Sequence, residues 1–375
     1  WSRLGEFDKS IGYCKDALKL SPSNQKALLS LGDILERSNQ ADEAEALLDS
    51  TDLKLDDNGN YQRLRVRIAI SNKRLEKAVD LCNEYIANEQ SALKRSKLFF
   101  LLCKANDKLG EYDKAWLAAE EAHRLGKLPF DEQKHFDSFA NIKSFFTREV
   151  LPSLTQGEAQ SVEPLFIVSN PRSGTSLLEQ ILSMHSAVAN GGEMTTGTLL
   201  QSEVARLTDS FHQWPQNLID LTPEDALSLS IVYAQHCNYY RGNARIVTNK
   251  ALNLHSQLGF LSIILPNSKS VIIERNPLDN AVSCFTNNLL AAGLPYTNNI
   301  ECIGKTWVER KKLATHWREV LSIPILELHY EQLVSNQRTE TMRLLNFLDL
   351  DWDERCMDFH KSTRVAKTIS YDQVN

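Results

Sequence analysis

The sequence predicts two successive folds: an all-α solenoid of helical hairpins, then an α/β domain built on a mostly parallel sheet. Three observations carry that prediction. A period close to 34 residues runs through the first 126 positions. From residue 165 onward, short apolar runs alternate with helix-length stretches. Between the first of those runs and the next helix lies a polar junction, NPRSGTS, with a single glycine. The expected boundaries are 1–126 for the solenoid, 127–160 for a helical linker and 161–375 for the α/β domain.

The repeats come first along the chain. LGEFDKSIGYCKDALKLSP (4–22) and LGEYDKAWLAAEEAHRL (109–125) open alike, and ERSNQADEAEALL and SNKRLEKAVDLC align in phase between them. Small residues recur at Ser10, Ala44, Ala78 and Ala115, spaced 34, 34 and 37 apart. A small side chain at such a point lets two antiparallel helices approach closely. One hairpin cannot bury its apolar face alone, so stacked hairpins share a core and leave a concave side. The pattern resembles the tetratricopeptide repeat, with Leu31-Gly32 in one first helix and Ala17 with Pro22 closing another. Val66 stands where that repeat prefers a small residue, and the last interval carries extra residues. The resemblance implies a surface that binds protein or a scaffold for self-association, and no residue marks a particular ligand.

KHFDSFANIKSFFTREVLPSL (134–154) reads as one amphipathic helix, with Phe136, Phe139, Ile142 and Phe146 at helical spacing. TQGEAQSVEP (155–164) reads as a loop. Strands are expected at LFIVS (165–169), ARIVTN (244–249), SVIIER (270–275) and PILELHY (324–330). Helix-length stretches separate them, as in βαβ units. Ligands of such sheets bind beyond the strand C-termini, so the residues just after each strand hold the interest.

The first strand runs into NPRSGTSLLEQIL. Pro171 stiffens the junction and Gly174 permits a left-handed turn. Ser173, Thr175 and Ser176 supply hydroxyls, while the N–H groups and dipole of the new helix make an anion site. Arg172 adds a fork of donors matched to phosphate or sulfate oxygens. This is not a Walker A loop, which needs GxxxxGK(S/T); here no Lys is present. A second anion can be held where Arg275 ends a strand and Ser283 follows eight residues later on a helix.

PRSGTSLL resembles the 5′-phosphosulfate loop of sulfotransferases that use 3′-phosphoadenylyl sulfate (PAPS). The resemblance covers about 163–375 and lies nearest the branch with Arg in the loop. That branch includes tyrosylprotein sulfotransferases and bacterial sulfotransferases fused to tetratricopeptide repeats; cytosolic members usually carry Lys there. It implies a P-loop-like fold, PAPS as donor, adenosine 3′,5′-bisphosphate as product, and no metal. Arg275 and Ser283 then resemble the 3′-phosphate clamp. GGEMTT (191–196) resembles the Gly-Glu segment whose acid is the general base, which would be Glu193. Met194 replaces the second acid often found there. Lys250, in VTNKALNLH, resembles the Lys that stabilises the leaving oxygen together with Arg172. Tyr330, in ILELHYEQLV, resembles an adenine or 3′-side contact, with Glu331 a structural group. KTISYDQVN (367–375) resembles a segment folding over the donor, where Ser370 approaches the transferring group. The family continues past Gln-Val with a basic residue where this chain has Asn375; either the sequence stops short of that cation or it comes from Lys361, Arg364 or Lys367.

Composition limits the remaining choices. Net charge is −6, from 42 Lys and Arg against 48 Asp and Glu, which gives no support to a nucleic-acid or membrane binder acting through a basic field. Seven cysteines, at 14, 82, 103, 237, 284, 302 and 356, form no CxxC and read as reduced, consistent with a cytoplasmic protein. No run reaches the ~18 apolar residues of a membrane span. His185, His255, His316 and His329 form no HExxH or facial triad, and His255 is the alternative base. The acceptor is a hydroxyl, on protein tyrosine or on a glycan or small molecule. Two other readings stay open: a kinase-like phosphotransferase, against which the missing Walker Lys counts, and a non-catalytic interaction protein.

Overall fold

A computed structural model of the chain describes residues 7–51 and 59–361. They gather into two compact units, one holding residues up to 130 together with 281–303, the other holding 131–280 and 304–362.

Seven helices build most of the first unit: α1 (Phe7–Leu20), α2 (Gln25–Arg37), α3 (Ala41–Asp49), α4 (Asn60–Ser71), α5 (Leu75–Asn88), α6 (Ala92–Lys108) and α7 (Tyr112–Gly126). They form because apolar residues recur every three to four positions; Leu28, Leu31 and Leu35 of α2 are all buried. The four small positions of the repeat are buried too, Ala44 and Ala78 completely. Gly32 explains its own identity, since a Cβ there would lie 2.9 Å from Leu64 Cδ2. Where the repeat prefers a small residue, Val66 is fully buried among Ala69, Ala78, Cys82 and Ala105. The 281–303 stretch closes the last hairpin: Cys284, Phe285, Leu289 and Tyr296 pack with Cys103, Ala115 and Ala119. The Phe285 carbonyl meets His123 Nε2 at 2.8 Å, and its ring stacks on His123 at 4.5 Å.

The second unit begins with α8 (Glu132–Phe145) and continues through β1 (Glu163–Ser169), α9 (Thr175–Ser183), β2 (Val188–Asn190), α10 (Thr196–Thr208), α11 (Pro223–Arg241), β3 (Ile246–Asn249) and α12 (Leu254–Ile264). The chain continues with β4 (Lys269–Glu274), α13 (Pro277–Phe285), α14 (Ile300–Val320), β5 (Ile325–His329), α15 (Tyr330–Ser335) and α16 (Gln337–Phe347), the parts of α13 and α14 within 281–303 belonging to the first unit. The single helix expected over 134–154 stops at Phe145, because Phe146 leaves helical dihedrals and Pro152 disfavours helix before it. Phe139, Ile142 and Phe146 are buried in the core of this unit beside Phe260 and Trp317.

Among the described residues the five strands are all parallel, in the order β2-β3-β1-β4-β5. Both faces are covered, which is why the strands read as continuous apolar runs. Phe166 and Val168 face one core with Tyr233, Leu258 and Trp317, while Leu165 and Ile167 face another with Leu178, Ile181 and Leu344. β2 escaped the sequence reading because three residues are too few to show a period. Among the described residues no helix is long and apolar enough to cross a membrane.

Candidate active site

β1 sits centrally, paired with β3 on one side and β4 on the other. The crevice beyond its C-terminus is therefore where a ligand of this topology binds. Asn170–Gly174 make the turn there, with Arg172 at φ 66° and Gly174 at φ 95°. Gly174 is needed twice over. Its φ is left-handed, and a Cβ would fall 2.4 Å from Tyr330 Cδ2.

The carbonyl oxygens of this turn are occupied. Asn280 Nδ2 donates to Pro171 O at 2.7 Å and to Ser173 Oγ at 3.1 Å, and Arg275 Nη1 donates to Arg172 O at 2.9 Å. Oxygens that would repel an anion are thus tied to donors, while the first turn of α9, where Thr175 and Ser176 lie, has N–H groups without intrahelical acceptors. Arg275 also lies over the Tyr330 ring, 4.8 Å from its centroid. Its buried Nε has no hydrogen-bond partner among the described residues. An unsatisfied buried guanidinium donor is a defect that an anionic oxygen repairs, so the residues here fit a phosphate-bearing donor. Ser283 lies three residues beyond Asn280 on α13, the spacing that shares a helix face. Glu331 Oε1 accepts from the Asn276 N–H at 2.8 Å, which anchors the start of α13.

The second cluster follows β2 and β3. Gly191 donates its N–H to Thr248 O at 3.0 Å, and a Cβ on it would lie 2.3 Å from that same oxygen. Gly192 has φ 68° and open space, so only its backbone conformation asks for glycine. Together they turn the chain so that Glu193 meets Lys250, Nζ to Oε1 at 3.3 Å. Lys250 is buried, with its side chain 2% exposed, whereas that of Glu193 is 42% exposed. Met194, in the place of a second acid, is buried in the apolar core.

Sequence reasoning missed the residue that organises this cluster, Glu179 on α9. One of its oxygens, Oε1, accepts from the Gly192 N–H at 3.0 Å and from Thr248 Oγ1 at 2.7 Å. The other, Oε2, lies 3.9 Å from Lys250 Nζ. The available signal was an acid inside LLEQIL, whose neighbours Leu178, Ile181 and Leu182 are buried. Asn280 was missed as well, as was Arg310, a buried cation whose Nη1 reaches Asn170 Oδ1 at 3.5 Å. Asn249 steadies the Lys250 turn, donating to Tyr233 Oη at 2.9 Å and accepting from the Ala251 N–H at 2.9 Å.

Other expected residues lie elsewhere. His255 is buried and stacked on Phe139; burial first, then the Arg310 charge, push its imidazole well below the usual range. Ser370, Arg364 and Lys367 lie outside the described residues, as does the side chain of Lys361. Among the described residues one trio, Glu274, Glu327 and His329, brings possible metal-ligand atoms within 4.8 Å of one another. Its carboxylates are already paired, both with Lys311 and Glu327 also with Arg318.

A family model described as the sulfotransferase family matches residues 164–354, and one for the tetratricopeptide repeat matches residues 3–68. An uncharacterised protein of Aquifex aeolicus (strain VF5) is 27% identical over 288 residues, 75% of this chain and 38% of that protein. Protein-tyrosine sulfotransferase A of Caenorhabditis elegans is 23% identical over 214 residues, 56% of this chain and 55% of that protein. The chain therefore spans less than two thirds of the length of these relatives. A solved sulfotransferase domain from the curacin biosynthetic pathway aligns with TM-score 0.41 and 18% identity, covering 55% of this chain and 80% of that one. Because the family model takes in just over half of the residues, including both glycine turns, Lys250 and Arg275, the chain belongs to the sulfotransferase family.

Proposed function

We propose that the protein transfers a sulfuryl group from PAPS to an acceptor hydroxyl, with Glu193 as general base. The observation that carries this reading is the buried Lys250 shared between Glu193 and Glu179 beside the anion-binding turn after β1. In the transfer, a bond forms between the acceptor oxygen and sulfur while the bond from sulfur to the donor's phosphate oxygen breaks. Glu193 takes the acceptor's proton, and its exposed face suits it to meet an incoming hydroxyl. Lys250 and Arg172 stand for the negative charge that grows on the departing oxygen. Arg275, with its unsatisfied Nε, and Ser283 hold the 3′-phosphate, and Tyr330 backs Arg275 through its ring. Glu179 is a positioning residue: it binds the Gly192 amide and faces Lys250, so it sets the distance between base and cation.

The acceptor is a tyrosine hydroxyl in a protein or peptide, a reading supported by the names of the curated relatives. All seven cysteines are free, which suits a cytoplasmic, reducing setting. The test is incorporation of radiolabelled sulfate from PAPS into a tyrosine peptide, a glycan and a small phenol, alongside calorimetry with adenosine 3′,5′-bisphosphate. Transfer to the peptide alone supports the full reading. Absence of both transfer and bisphosphate binding removes it.

A further inference from the structure

A small cavity of about 20 Å³ lies within the second unit, beside the turn that follows β1. Asn170, the first residue of that turn, lines it together with His255 of α12 and with Trp307, Arg310 and Lys311 of α14. Space of that size takes a single atom-sized occupant, for which ~10–15 Å³ suffices. The polar lining is one-sided. Arg310 is 5% exposed and offers donors only, as does the Trp307 indole. Arg310 Nη1 meets Asn170 Oδ1 at 3.5 Å, which leaves the Asn170 amide nitrogen to donate. His255 Nδ1 is buried and has no partner in hydrogen-bond geometry among the described residues. The acid on the lining, Glu274, is already spent, since both its oxygens bind Lys311 and the two charges cancel.

We propose that this cavity binds a single halide ion, held by Arg310, His255 and the Asn170 amide, which ties α12 and α14 to the first residue of the turn after β1. The surroundings favour a negative occupant. After burial, Arg310 is the strongest influence lowering both nearby imidazoles, His255 and, on α8, His135. Glu132 pulls His135 the other way, and the Leu252 backbone pulls His255, each more weakly than Arg310 acts. Both rings are therefore neutral, and the interior here stays electropositive. A water would answer the dipoles of the lining, whereas an anion answers its potential as well. Carboxylates, phosphate and sulfate carry several heavy atoms and exceed a space for one.

The test uses the full chain at constant ionic strength, with potassium gluconate exchanged for potassium chloride or bromide. Exchanging about 100 mM should raise the melting midpoint by ~2–5 °C, the shift expected of a site with Kd ~10 mM. Bromide-soaked crystals should show anomalous density between His255 and Arg310. Arg310→Gln and His255→Phe should each abolish the difference between gluconate and bromide. Arg275→Ala should keep it, because a halide seated instead against the turn carbonyl that Arg275 binds would respond to that change. Equal melting in gluconate and halide overturns the proposal, as does a halide effect that Arg310→Gln retains. Anomalous density that is missing from the cavity, or confined to the first turn of α9, also overturns it. The bromide position, read on the unaltered chain, decides even if Arg310→Gln fails to fold, and it does so whether or not the chain transfers sulfate.

Discussion

Two glycine turns flank the candidate active site, and they have opposite polarity. In the turn after β1, the carbonyls of Pro171 and Arg172 are consumed by Asn280 and Arg275, so it is the acceptor half of those peptide groups that is claimed. In the turn after β2, the amides of Gly191 and Gly192 are consumed by Thr248 O and Glu179, and the turn delivers the Glu193 carboxylate instead. Glycine content alone does not say whether a loop will cradle an anion. What matters is which half of each peptide group the neighbours have already claimed.

Substitutions can break that contrast in graded steps. Glu193→Gln removes what the second turn delivers. Its kcat should fall ~10²–10⁴-fold while bisphosphate binding and the unfolding midpoint hold, since the side chain is partly exposed. Glu179→Gln keeps an acceptor for the Gly192 N–H and Thr248 hydroxyl but removes the charge opposite Lys250. A kcat loss of about 10- to 100-fold with an altered pH–rate profile is expected; an unchanged profile would reduce Glu179 to a packing role. Gly174→Ala acts on the first turn through the Tyr330 contact and the left-handed φ. Calorimetry should show bisphosphate binding weakened about 10- to 100-fold.

The two glycines of the second turn separate steric from conformational demand. Gly191→Ala meets the Thr248 carbonyl and should cost about 1–3 kcal/mol. Gly192→Ala meets nothing and should cost about 1 kcal/mol for its φ alone. Denaturant titration distinguishes them. A pH effect is expected at His135 and His255. Burial, and then Arg310, push His135 down to about 4 against a weaker upward pull from Glu132, and push His255 well below its usual value. The unfolded chain accepts protons that the folded one refuses. Stability is therefore full above pH ~6.5 and declines as pH falls toward 4. The melting midpoint should drop by a few degrees over that range, roughly, and by less in His135→Gln.

The first turn was legible in the sequence because its chemistry is local: strand, glycine, hydroxyls and helix follow one another from Leu165 to Leu178. The second turn was legible only in part. Gly191-Gly192-Glu193 announced a bend and an acid, yet its organiser, Glu179, acts through the fold rather than through sequence neighbours. Asn280 hid similarly, since nothing about an Asn on a helix reveals that it reaches a carbonyl more than a hundred positions earlier. The repeats were plain from their period, whereas the return of 281–303 to the last hairpin depends on contacts no period encodes.

That return bears on how such a chain can be inherited and recombined. The helical unit is discontinuous in the gene, since its last hairpin is completed by residues placed inside the coding stretch of the sheet unit. A shuffling event that replaced residues 1–126 wholesale would strand Cys284, Phe285, Leu289 and Tyr296 as an uncovered apolar patch, a liability for aggregation. Repeats and sheet unit must then change in concert, and a transplant that succeeds will be one that carries the 281–303 stretch along with its helices.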